Sequence, residues 1–177
     1  MRNLCLTFIL VLTIIFVVVS RRPSPGAVLG QWKNGNGIFD VRITAYREKN
    51  GGFVRGAYYE FASTASGQTD WHKIMVFRHD DPIPIPRNQT VFLSSKVAYV
   101  FMGWMYAVTT DGGHTWSAWS AERDLTGWKC CNYALIREVR IHASGVGRMV
   151  LNPIPNRPGE VPALFTKDYG RHWSVDQ

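Results

Sequence analysis

Cysteine is scarce in this chain: Cys5, Cys130 and Cys131 are the three present in 177 residues. So few cannot make a multi-disulfide scaffold, and with histidines standing singly no Cys/His spacing matches a zinc site. A glycine-rich phosphate loop and a dinucleotide fingerprint are also missing. Gly145-Val146-Gly147 has no helical pattern after it and reads as a hairpin turn. Charged residues are only 19% of the chain. The net charge is +7, but the lysines and arginines are scattered, without the basic stripe and interleaved aromatics of a nucleic-acid interface. No nucleic acid, metal or cofactor is therefore expected. His79-Asp80-Asp81 could offer carboxylates to a hard cation. Just ahead of the alternating prolines of Asp81 to Pro86, it reads instead as a solvated turn.

What the chain does have is apolar and aromatic. From Leu4 to Val19 there is no charge, and Thr7 and Thr13 are the polar residues. A run of this length lies between a signal-peptide core and a membrane span. Residues 1–20 are read as an N-terminal membrane anchor or signal segment, with Val18 and Ser20 fitting a cleavage site. Residues 21–29, with two prolines, are read as a linker, and 30–177 as one folded domain outside the cytoplasm. The domain is long enough to bury a core, and its seven tryptophans favour a β-rich globule. Short alternating runs such as Phe39 to Ile43, Val97 to Phe101 and Val139 to Ile141 are bounded by Gly, Pro and Asn turns, the pattern of antiparallel strands.

One local pattern recurs. Thr109-Thr110-Asp111-Gly112-Gly113-His114-Thr115-Trp116 and Thr166-Lys167-Asp168-Tyr169-Gly170-Arg171-His172-Trp173 share Thr, Asp, Gly and Trp at the same offsets. Asp is expected to close the turn by accepting hydrogen bonds from the next N–H groups. Gly is expected to supply a positive φ, and Trp to cover the end of the hairpin. Thr64 to Trp71 keeps the Thr and the Trp but lacks the Asp, a degenerate third copy. The three tryptophans fall at intervals near the about 40–50 residues of a four-stranded propeller blade.

The motif resembles the Asp-box, or BNR repeat, of sialidase-like β-propellers, sortilin-type receptors and photosystem assembly factors. The resemblance implies an all-β, propeller-like stack of about three four-stranded antiparallel units with Asp-box hairpins, after an N-terminal hydrophobic helix. It also implies that Thr109, Asp111, Gly113, Thr115, Trp116, Thr166, Asp168, Gly170 and Trp173 are structural. The catalytic arginine-bearing signature of sialidases, Arg-Ile-Pro, has no equivalent: Ile85-Pro86-Arg87 has another order. The chain is also about half the length that six blades need.

The expected function is therefore a non-enzymatic protein-binding module, anchored or exported, acting as an assembly factor or an immunity-type inhibitor. The alternative is a truncated sialidase-like glycoside hydrolase or glycan-binding protein. Tyr99, Trp104 and Tyr106 are candidate contacts for a partner protein. Adjacent Cys130 and Cys131 could close a vicinal disulfide outside the cytoplasm or stay reduced.

Overall fold

In the computed structural model, residues 25–48, 56–79, 83–87, 89–124, 135–152 and 162–175 are described. The anchor segment 1–20, the Cys130–Cys131 pair and Asp80 and Asp81 lie outside them. Among the described residues no helix is long and apolar enough to cross a membrane.

The fold is all-β, in three antiparallel sheets of four, four and three strands. The first sheet holds β1 (Pro25–Gly35), β2 (Phe39–Glu48), β3 (Ala57–Ala65) and β4 (His72–His79). The second holds β5 (Thr90–Phe92), β6 (Ala98–Met102), β7 (Met105–Thr109) and β8 (Ser117–Ser120), followed by the helical turn α1 (Ala121–Asp124). The third holds β9 (Ile136–Ile141), β10 (Gly147–Leu151) and β11 (Ala163–Thr166). Within each sheet, strands adjacent in sequence pair with one another. β1 starts at Pro25 and so takes in residues read above as linker. Among the described residues the third sheet has three strands where four were expected, and past β11 a bridge joins Phe165 to Ser174.

Burial explains the order of the layers. Every residue of β6 and β7 is buried, so the second sheet is covered on both faces. One face, with Ala98, Val100, Met102, Met105 and Ala107, packs against Val41, Ile43, Tyr59, Phe61 and Phe77 of the first sheet. The other, with Tyr99, Phe101, Tyr106, Val108 and Trp119, packs against Val139, Ile141, Met149, Leu151 and Leu164 of the third. The middle strands accordingly read as continuous apolar runs, while β9 and β10 alternate. Burying a side chain of this size stabilises the fold by about 1.5–3 kcal/mol, and the two cores share the load.

The two outward faces differ from the inward ones. Thr64, Thr109 and Thr166 pair with Asp40, Ala98 and Gly147 in their sheets, which fixes a common register. In that register the second sheet presents Val100, Ala107 and Met102 to the first, at positions where the outward face of the first sheet carries Arg42, Ala62 and Thr44. Likewise, Tyr99 and Val91, turned towards the third sheet, correspond to Arg148 and Arg140 on the third sheet's outward face. Arginines thus stand on both outward faces at positions that are apolar in the second sheet, while Thr44 and Ala62 are themselves buried.

Candidate functional site

The recurrent hairpins occupy equivalent places. The Thr109 hairpin joins the third and fourth strands of its sheet, and the degenerate Thr64 hairpin joins β3 to β4 in the same way. The Thr166 hairpin leads from β11 to the bridge at Ser174.

Their internal bonding is nearly the same. Thr109 Oγ1 donates to Asp111 Oδ1 (2.8 Å) and accepts from the Gly113 N–H (2.9 Å). Thr166 Oγ1 donates to Asp168 Oδ1 (2.8 Å) and accepts from the Gly170 N–H (2.8 Å). The expected role of Asp needs correction. Its carboxylate does not take the N–H groups one and two residues on; it accepts from residue four on, Thr115 N at 2.9 Å and His172 N at 3.1 Å. The Asp is itself the residue two beyond the Thr, and its N–H goes to the Thr hydroxyl. Thr is the hub because its short side chain sits at the mouth of the turn, while the Asp side chain reaches across it. Gly113 and Gly170 have φ of +88° and +84°, as expected. Tyr169 also takes a positive φ, 63°, where the other hairpin has Gly112.

These bonds set the electrostatics. The Thr115 hydroxyl and N–H bonds to Asp111 hold its carboxyl down at about 2. Burial pushes Asp168 up, but the bonds from His172 and Thr166 outweigh it and keep it below the ordinary carboxylate value. His172 Nδ1 lies 2.6 Å from Asp168 Oδ2, in the place of the Thr115 hydroxyl. Both acids are therefore committed to their turns.

Each hairpin also clamps the preceding sheet. Trp116 Nε1–H is shared between Ser63 Oγ (3.0 Å) and Gly113 O (3.2 Å), and its ring meets Phe39 edge-on at 6.2 Å. Trp173 meets Tyr106 edge-on at 5.4 Å and Trp119 at 6.2 Å. The residue before the threonine is Ser63 in the first sheet and Val108 in the second. Trp173 Nε1, unlike Trp116 Nε1, is buried without a partner among the described residues. In the degenerate copy Thr64 is buried, and Trp71 lies under Arg42 (4.2 Å) and Lys33 (5.4 Å).

The three candidate contact residues are mostly interior. Tyr106 is fully buried and its hydroxyl donates to Tyr169 O (2.6 Å); Tyr99 is buried and donates to Val139 O (3.2 Å). Burial raises both phenols, Tyr99 to about 12 with help from the Glu138 charge. Neither ring is open to a partner, because the second sheet is covered on both sides. Trp104 is half-buried, bridges the two cores and stacks on His79 at 5.5 Å. His79 is thus a core residue.

Among the described residues, two surface clefts stand out. One, of about 690 Å³, lies on the third sheet among Val146, Gly147, Phe165, Lys167, His172 and Trp173, with Asp168 at its rim. The other, of about 540 Å³, lies between β1 and the proline connector, floored by Tyr59, whose hydroxyl bonds Ile83 O and N at 2.6 Å. Neither contains two carboxylates. Among the described residues, no three His, Cys, Asp or Glu side chains converge on a point that a metal could occupy. Motif reading missed the cleft beside Phe165; aligning the residues before Thr64, Thr109 and Thr166 would have marked that position as the outward counterpart of Ser63 and Val108.

No protein-family model matches this chain, and comparison with curated proteins finds no match.

Proposed function

We propose that the chain is a non-enzymatic protein-binding module of Asp-box blades, held at or exported across a membrane by its N-terminal segment. The three sheets are then successive blades of a short, open propeller-like stack. The observation that carries the reading is the commitment of Asp111 and Asp168 to turn closure, while neither cleft described above holds a pair of carboxylates among the described residues. Glycoside hydrolysis ordinarily needs two acids flanking the bond. A partner protein instead needs an exposed, shaped surface, and the terminal faces of the stack supply one. Assembly factor and immunity-type inhibitor are the roles that suit such a module outside the cytoplasm.

Affinity capture tests it. A tagged full-length chain, solubilised from cells of its own source, should retain one stoichiometric protein identified by mass spectrometry. Recovery of glycans alone, or turnover of sialylated substrates by the purified chain, would overturn it.

A further inference from the structure

β1 is an edge strand of the first sheet, paired with β2 on one side. It is eleven residues long, residues 25–32 carry no charge, and Val28 and Leu29 are 59% and 42% exposed. Proteins keep sheet edges from pairing by making them short or by placing charges on them. The other edges follow that rule. β5, β8 and β11 have three or four residues; β4 carries Lys73 and Arg78, and β9 carries Arg137 and Arg140. The irregular register of β1 with β2 before Gly30 blunts its first residues alone, and from residue 30 to residue 35 the pairing is regular. In an antiparallel ladder every second residue exchanges both its bonds with the neighbour, and the residues between turn N–H and C=O the other way. Those of β1 have no strand beside them among the described residues.

The cleft of about 540 Å³ opens on this edge, and Gln31 and Trp32 both line it. Gln31 pairs with Thr44 and bonds its hydroxyl on the outward face; Trp32 pairs with Ile43 and packs on the inward core. Neighbours on a strand point to opposite faces, so what the two share along the cleft is the backbone edge. The far wall is the connector at Ile83 and Ile85, pinned by the Tyr59 hydroxyl. Gly30 leaves a gap beside the edge, where an added Cβ would meet nothing within 4 Å. Of the described residues lining the cleft, Arg87 alone is charged; it is exposed and has no ion-pair partner among the described residues. A second copy of β1 does not suit the place, since that strand brings Lys33 and no acid.

We infer that an extended acidic segment of a partner protein adds as a strand to the free edge of β1 inside this cleft. Its main chain pairs with residues 30–33, an apolar side chain fills the gap at Gly30 against Trp32 and Ile85, and a carboxylate meets Arg87. Main-chain bonds supply affinity in this mode of recognition, and the pockets for side chains supply specificity. The assignment rests on the protein-binding reading above and names the surface and the chemistry of the partner.

The test uses the full-length chain in phosphatidylcholine nanodiscs and a fluorescent synthetic peptide that alternates valine and threonine, with aspartate at each end. One control has lysine for aspartate; another is N-methylated on its backbone amides. The acidic peptide should bind saturably, slow hydrogen exchange across residues 30–33, and bind about tenfold or more tighter than either control. Gly30→Val suits a strand and meets no neighbour at its Cβ. It should keep the circular dichroism and the urea midpoint while weakening the peptide about tenfold or more. Arg87→Glu should weaken it too and turn the preference to the lysine control. Absence of saturable binding, equal binding of either control, protection confined to another segment, no effect of Gly30→Val, or self-association of the chain abolished by Gly30→Val would each overturn the assignment. If capture still yields a stoichiometric protein partner whose recovery ignores Gly30→Val and Arg87→Glu, this edge is refuted and the binding-module reading stands.

Discussion

Replacing Gly170 by alanine tests the clamp between hairpin and sheet. An added Cβ would lie 2.5 Å from the Tyr106 hydroxyl, 2.7 Å from Tyr106 Cε1 and 2.7 Å from Trp173 Cζ2, at a φ of +84°. The left-handed backbone alone costs a non-glycine residue about 1–2 kcal/mol. Overpacking a filled site adds about 1–3 kcal/mol. Tyr106 cannot retreat without releasing its bond to Tyr169 O, and a buried hydroxyl left without a partner costs about 1–3 kcal/mol. The terms overlap, because one movement relieves several of them, so the expected loss is about 3–5 kcal/mol. Gly112→Ala is the control: φ is +76°, but the new Cβ meets only Ser95 O, at 3.7 Å. It should lose about 1–2 kcal/mol, the backbone cost alone. Urea titration followed by tryptophan fluorescence reads both. Equal losses in the two variants would refute the clamp and leave only turn strain.

Thr109→Val should cost about 2–3 kcal/mol in the same titration, because it strands the Gly113 N–H and removes a donor from Asp111. Thr64→Val, without that hub, should cost under about 1 kcal/mol. The folded pKa of Asp111 is held at about 2. Because it lies below the unfolded value of about 3.9, the stabilisation is full above about pH 4 and lost as pH falls through about 2. With solvent screening it amounts to about 1 kcal/mol, so the urea midpoints of wild type and Asp111→Asn should differ at pH 7 and converge near pH 2. Trp104→Ala, at the junction of both cores, should cost about 3–5 kcal/mol by thermal or urea unfolding. Ser63→Ala should cost about 0.5–1.5 kcal/mol, since Trp116 Nε1 keeps Gly113 O as a second acceptor.

The strands and hairpins were legible because their causes are local. Alternation in Phe39 to Ile43 and Val139 to Ile141, and the recurrence of Thr, Asp, Gly and Trp, depend on near neighbours. Layer order was not, since nothing in Tyr99 or Tyr106 alone decides between a partner contact and the core packing that is the commoner fate of such residues; both are buried. The role of Thr in the turn escaped for a related reason. Asp is the familiar turn acceptor, but here its reach is spent on Thr115 and His172, and the threonine hydroxyl takes the nearer N–H groups. The place of Phe165 on an outward face becomes visible only once three sheets share a register, because the alternation of a single strand does not say which of its faces another sheet covers.

The measurement that bears most directly on the central claim is titration calorimetry of the purified full-length chain against its captured protein partner. The protein-binding account predicts saturable one-to-one heat with that partner and none with sialylated oligosaccharides. Heat from the oligosaccharides and silence from the protein would contradict it.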